Sequence, residues 1–526
     1  MLQQSRRDTG IARNWKCILI CLAMSLANFQ YGYDTATIGG FQAMAGFLAI
    51  YGYNDPKAKI GWNITTTVQQ LITSFLNIGT IIGVVLTHLW GKRFGRRHGI
   101  WIASLISFVA AGVQIGTEKL VGLYFGRILI GVSNGFFITF ANVYVAEVSP
   151  AHLRGPLVSL FGVWVSIGSI IGATVNNITK DYTSKLSYQI PLATLYGIPL
   201  ILSILVFFLP ESPRWLLMLG RDECAKQSLT RLRGTSFEGS DEMLEEEFLE
   251  MQRGIADELE KSKGRVLKDM FKGTELRRTL ICFGVILSHS SSGIWLIIGY
   301  GTFFFQQAGV TRPFLATILK SFMGLMGVFT SIFLNYRLVG RRFSMLLGHG
   351  GSTVFMLGMG IAASIPGDSA ASGKAILGCA LCWYFVYNGF SGAVSWPVAN
   401  EVVSSRLRVV TIGCGTAVNY VFAWLTSFTT PYFINSRELN WGAKVAYIWA
   451  GSNAITFAFL YFFLPEMRGR SLEEIDELFQ NQVSTREFPA YHCLSAQVAR
   501  EQVSKRAEEF KPERNLGDTK TRREMV

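Results

Sequence analysis

One carboxylate stands where the chain is otherwise apolar. In FQYGYDTATIGG, residues 29–40, Asp34 lies inside an oily run that begins at Ile18. A charge at the bilayer centre costs at least about 2.5 kcal/mol, so such a residue faces an interior cavity and has a partner there. A second set of charged residues recurs in pairs. EVSPAHLRG places Glu147 seven residues before Arg154, and EVVSSRLRV places Glu401 seven before Arg408, 254 positions later. LPESPRW and LPEMRGR carry their prolines at 210 and 465, and FGRR at 94–97 returns as VGRR at 339–342. Matched motifs at nearly one offset imply two related bundles in parallel repeat, with a path between them. The charges suit a clasp: Glu147, Arg154 and Arg96 in one half, Glu401, Arg408 and Arg341 in the other, holding an inner gate shut and releasing it as the halves rock. Glycines permit the tight turns between these helices.

Composition says what positions these groups. Half of the 526 residues are hydrophobic and 16% are charged, with a mean hydropathy of +0.31. That is too little charge to cover a soluble surface of this length. A hydrocarbon core of about 30 Å needs about 20 apolar residues. Such runs occur near 18–40, 68–90, 99–116, 120–141, 157–176, 190–209, 279–304, 314–335, 345–363, 375–396, 410–428 and 445–464. The expected fold is an all-α polytopic membrane protein, twelve transmembrane helices in two six-helix pseudo-repeats. Its expected parts are a tail (1–17), a first bundle (18–213), a helical linker (214–278), a second bundle (279–467) and a C-terminal tail (468–526), mobile from 480 onward.

Lys and Arg gather in GKRFGRR, in RLVGRR, in the 214–278 block and in both tails. The positive-inside rule then puts both termini in the cytoplasm and accounts for the net charge of +13 without any nucleic-acid partner. The expected location is the plasma membrane. Two sequons, at Asn63 and Asn177, fall in expected outside loops and are candidate glycosylation sites. The first span follows Arg6, Arg7, Arg13 and Lys16 and is too long for a cleaved signal sequence. Cys379-x-x-Cys382 lacks a second ligand pair and reads as buried small hydrophobes rather than a metal site. No Walker loop or nucleophile elbow appears, so neither an enzyme nor a cofactor is expected.

LPESPRWLLMLGR, GRILIGVSNG and LPEMRGRSLEEIDELF together resemble the sugar porter branch of the major facilitator superfamily, over about residues 18–480. GYGTFFFQQAGV and TTPYFIN are similar to fungal members, including α-glucoside:proton symporters. The resemblance implies a transporter, functional as a monomer, whose partners are a small solute, protons and the bilayer. It also implies that Asp34 faces Arg127 of the fourth helix: a nearby guanidinium favours the carboxylate, and its withdrawal favours protonation.

The implied sugar site departs from the family pattern. Gly162 stands where a glutamine contacts sugar, and the seventh helix offers His289, Ser290 and Trp295 in place of two glutamines and an asparagine. Trp396 keeps the aromatic platform of the tenth helix, with Tyr387 and Asn388 nearby; Asn419 matches on the eleventh, but Tyr420 replaces a tryptophan. Lost amides cost discrimination among sugar hydroxyls. A larger glycoside, a modified sugar or a non-sugar metabolite therefore fits better than glucose. His289 is either a second proton site or a hydrogen-bonded pore residue. Lys320 either meets an anionic solute or snorkels. Lys92 and Arg337 replace a family aspartate, so the clasp either uses other acids or is weakened. Two other functions share the scaffold: export of a secondary metabolite, and sensing without transport, for which the tail after 480 is short.

Overall fold

The structure is a computed structural model that describes residues 14–55, 61–91, 93–150, 153–233, 240–262, 267–337, 339–365, 369–404, 406–435, 437–470, 472–491 and 493. Among the described residues, ten helical segments are long and apolar enough to cross a bilayer. The first span is two helices, Trp15–Ser25 and Ala27–Phe41. Spans two to six are Thr66–Trp90, Arg96–Gly116, Leu120–Val148, Arg154–Thr179 and Leu186–Phe208. Spans seven to ten are Gly273–Gln307, Pro313–Leu334, Arg341–Ser364 and Ala370–Val402. Arg408–Ile434 is the eleventh, and Gly442–Phe463 the twelfth.

Helices in hydrocarbon gain no hydrophobic drive from packing on each other, so small residues that admit a close backbone approach decide which helices meet. Spans two and four show this. A Cβ on Gly79 would lie 2.2 Å from the carbonyl oxygen of Ile128, and one on Gly131 would lie 2.3 Å from that of Leu76. Spans one and five meet likewise: a Cβ on Gly32 would lie 2.0 Å from the Val165 carbonyl oxygen. These crossings carry Asp34 and Arg127 into the interior. The halves join through spans one with seven, two with eleven and five with eight.

The second half holds two irregular spans. Gly293, at φ +83°, divides span seven, and a Cβ there would also lie 2.7 Å from Trp449. A π-helical turn, Tyr387–Gly392, interrupts span ten. Broken backbone at membrane depth is tolerated where protein rather than lipid surrounds it, and π turns concentrate at functional sites.

One face of the bundle carries the repeated charged motifs; it is called the motif face here, and its opposite the far face. Pro213–Met218, Asp222–Arg233 and Ser240–Ser262 lie beyond the first half's spans and share a small core of Trp215, Leu217, Leu229, Leu244, Phe248 and Ile255. The tail begins as a docked element rather than a mobile one. After Leu472–Gln480, Val483, Phe488 and Cys493 are buried against the second half, and residues from 494 lie outside the described ones.

Spans three and nine begin after Gly95 and Gly340, which have no side chain to cap a helix. A distant carboxylate does so in each half. Glu211 accepts from the N–H groups of Arg96 at 3.0 Å and Arg97 at 3.3 Å. Glu466 accepts from those of Arg341 at 3.0 Å and Arg342 at 3.2 Å. Each acid meets the positive end of a helix dipole and two of its orphan donors. The motifs around Pro210 and Pro465 thus supply the acid that Lys92 and Arg337 do not; Lys92 and the Arg337 side chain lie outside the described residues. Burial pushes the Glu211 carboxyl up, while hydrogen bonds from Ser212, Arg97 and Arg96 pull it down. Replacing Glu211 or Glu466 with alanine should each lower stability by about 1–2 kcal/mol. The melting temperature of detergent-purified protein checks this, and an unchanged value for both variants would remove the capping role.

Candidate functional site

Asp34 and Arg127 are each 1% exposed and form an ion pair, Nη1 to Oδ1 at 2.8 Å. Asn134 donates to the other carboxylate oxygen at 3.3 Å, and Arg127 Nε donates to the Ile72 carbonyl at 3.2 Å. The pair thus joins spans one, two and four. Arg127 Nη2 has no partner. The carboxylate is thus met by one charged and one neutral donor. Beside it, where the halves meet, Thr35, Thr73, Asn77, Trp295, Gly299 and Ser427 line a narrow cleft.

Four of the expected solute residues come together in the second half. The His289 ring lies 5.8 Å from Trp295 and 5.9 Å from Tyr387. Ser290 donates to the Asn419 side chain at 2.7 Å and accepts from Trp295 Nε1 at 3.1 Å. The breaks at Gly293 and at Tyr387–Gly392 bring these side chains together. By strict hydrogen-bond geometry, Tyr387 Oη and His289 Nδ1 have no partner among the described residues. Trp396 and Asn388 do not join it. Trp396 packs, half-buried, on the apolar cluster of Ile281, Val285 and Val402 toward the motif face. Asn388 turns onto its own helix, donating to the Tyr384 carbonyl at 2.8 Å, and abuts Gly327 of span eight. The π turn sets this outcome by shifting which residues of span ten face inward. Gly162 has a packing role: a Cβ there would lie 3.3 Å from both methyls of Val328 across the junction of the halves.

Two neighbours were not weighed from the sequence. Tyr31 of span one lies near Asp34 and near Tyr384, Tyr387 and Tyr420 of the other half. Tyr384 in turn carries the Lys320 ammonium over its ring, 4.8 Å from the centroid. Lys320 is 5% exposed and does not snorkel. Aromatic residues spaced along spans one, ten and eleven gave a signal, but it matched ordinary lipid-facing patterns.

The charged motifs pair within each half. Arg96 grips Glu147 with Nε at 3.0 Å and Nη2 at 2.6 Å. Arg341 grips Glu401 with Nε at 2.8 Å and Nη2 at 2.6 Å. Arg154 and Arg408 instead open spans five and eleven, and Arg154 has no ion pair among the described residues. These described clasps therefore brace each half and do not bridge the two. Two further arginines complete the repeat. Arg233 donates to the Val148 carbonyl at 3.0 Å and pairs with Glu247 at 2.6 Å. Arg278 donates to the Val402 carbonyl at 2.7 Å and pairs with Asp476 at 2.5 Å. Each neutralises the negative end of the helix whose last turn bears the clasp glutamate. The two sequons are engaged: Asn63 is buried and donates to Asp55 at 3.3 Å, and Asn177 accepts from Lys180 at 3.0 Å.

Comparison with known proteins agrees with this architecture. The hexose and galactose carriers of yeasts are among the relatives. The galactose transporter of Saccharomyces cerevisiae is 28% identical over 478 residues, covering 88% of this chain and 81% of that one. The major facilitator-type transporter ecdD of Aspergillus rugulosus is 27% identical over 487 residues, covering 90% and 89%. Among solved structures, the proton:xylose symporter XylE bound to 6-bromo-6-deoxy-D-glucose superposes with a TM-score of 0.71 at 21% identity, covering 89% of this chain and 100% of that one. An inward-open form of XylE from E. coli gives 0.70 at 21% identity, covering 88% and 99%. Residues 20–479 match the sugar (and other) transporter family. With twelve spans in two repeats and a match over nearly all of them, the chain belongs to the sugar transporter family of the major facilitator superfamily.

Proposed function

We propose that the protein carries a sugar, glycoside or related small solute across the plasma membrane by alternating access, and that a proton taken up and released at Asp34 drives it. The observation that carries this reading is the buried Asp34–Arg127 pair beside the cleft between the halves. A shift of span four that withdraws Arg127 favours the neutral acid, and its return expels the proton. The structural neighbour described as a proton:xylose symporter supports the reading at the level of fold. The basic motif face is the cytoplasmic one in this account, with both termini on that side.

The polar bonds between halves support a state closed at the far face. Tyr300 of span seven donates to the Ser427 carbonyl at 2.6 Å, Asn77 to Ser427 at 2.9 Å and Asn435 to the Ile64 carbonyl at 3.4 Å. Glu438 accepts from Thr66 at 3.1 Å. Solute then reaches the His289–Trp295–Tyr387 group from the motif face.

Two predictions test this. In Asp34→Asn the amide imitates the protonated acid, so accumulation driven by a pH gradient should vanish in reconstituted vesicles while counterflow persists. Well-folded Asp34→Asn protein that still concentrates solute would exclude Asp34 as the coupling group. Tyr387→Phe removes only the unpartnered hydroxyl. Apparent solute affinity should fall roughly three- to tenfold, about 0.5–1.5 kcal/mol, with surface expression retained. Trp396→Ala should change affinity less than this, and the reverse order would return Trp396 to the centre of the site.

A further inference from the structure

We infer that the solute recognised at this site bears a carboxylate and that Lys320 receives it, a deepening that rests on the transport reading above. Lys320 lies seven residues inside Pro313, where its four-carbon stem has a path toward the far face. Its ammonium instead sits in the interior over the ring of Tyr384, with no hydrogen bond or ion pair among the described residues. A cation–π contact occupies one side of the ammonium and leaves N–H donors unused. Gly324, one turn further along span eight, brings the helix this close: a Cβ there would lie 2.4 Å from the Tyr384 ring.

Among the described residues, no carboxylate balances this charge. Asp34 is the one acidic residue among the buried described residues, and Arg127 and Asn134 already hold it. Of the four buried described cations, Arg96 and Arg278 pair with Glu147 and Asp476 at the motif face and Arg127 with Asp34, which leaves Lys320 without a carboxylate. The unmet hydrogen-bonding capacity near Tyr384 has the same polarity. Tyr387 Oη and Trp383 Nε1 are buried without partners, and the two rings stack at 6.0 Å. Hydroxyl and indole N–H groups donate readily, and an ammonium can do nothing else. A ligand that fits must bring acceptors and negative charge, with a ring to lie among Tyr31, Trp295 and Tyr387. A ring-bearing carboxylate, such as a sugar acid, meets all three demands. A neutral sugar would leave the ammonium uncompensated.

The test uses full-length protein in nanodiscs without a pH gradient, so it reads recognition apart from proton coupling. Glucose and glucuronate, then galactose and galacturonate, are compared as matched pairs by ligand-induced thermal shift and by titration. Each acid should bind at least about tenfold more tightly than its neutral mate. Lys320→Met should erase that ratio, and Lys320→Arg should retain most of it. Equal binding of acid and neutral sugar by the wild type overturns the inference, as does a lack of binding by either acid. A ratio unchanged in folded Lys320→Met protein overturns it as well. If Lys320→Met does not fold, the wild-type ratio together with Lys320→Arg decides the matter. Should a pH gradient fail to concentrate a bound uronate, proton coupling falls and this inference stands. Gradient-driven uptake of glucose that Lys320→Met leaves untouched has the opposite meaning.

Discussion

Hydrocarbon offers no hydrogen bonds, so a charge at membrane depth is costly without a partner, and that constraint orders much of the structure. Asp34 is answered by Arg127 and Asn134. Arg127 reaches it because glycines let spans two and four approach to backbone contact. The small residues therefore place the charge pair, and the pair ties together three spans of the first half. Loosening that packing would do more than open a void. It would separate Asp34, the one buried acidic residue among the described residues, from the two groups that answer it.

Much of the fold was legible because its signals are local. Apolar runs of spanning length, the 254-residue offset of the glutamates and the matched LPE and GRR motifs are properties of short windows. The clasp was legible only in composition. The arginines that meet Glu147 and Glu401 come from the turns before spans three and nine, not from the residues seven positions downstream. The sequence grouped both arginines of each half with the glutamate, and the turn at Gly95 or Gly340 decides which of them is near. Glu211, Glu466, Arg233 and Arg278 escaped for the same reason. Each acts on a backbone group more than fifty residues away, and no periodicity records that.

The candidate solute site was legible in part. His289, Trp295, Tyr387 and Asn419 meet because span seven breaks at Gly293 and span ten winds into a π turn. Neither irregularity is forced by a proline at its centre, so regular helical phase grouped Asn388 and Trp396 with side chains they do not meet in this arrangement. Gly162 was read as a lost sugar contact. In the structure it is the point where span five approaches Val328 of the other half. A glycine at this point lets the two halves close on each other.

The bonds inside each half and the bonds between halves differ in kind, and the difference suits a rocking carrier. Within a half, arginine–carboxylate forks and capped helix ends hold the motif face together; such charge-assisted contacts are roughly twice as strong as neutral ones. Between halves, the far-face contacts are mostly hydroxyl and amide groups on backbone carbonyls, each worth about 0.5–1.5 kcal/mol net. The ion pair that crosses there, Arg437 with Asp55, is long at 4.0 Å and exposed on the arginine side. Such pairs contribute little. Stiff halves joined by a weak seam move as bodies, because the seam fails before the halves deform. A handful of weak bonds is also the right scale for control by ligand. About 5.5 kcal/mol of differential affinity carries a two-state equilibrium from one side to the other. A solute whose contacts form only when the halves rearrange can supply that. A seam built of buried forks would need far more and would lock the carrier in one state.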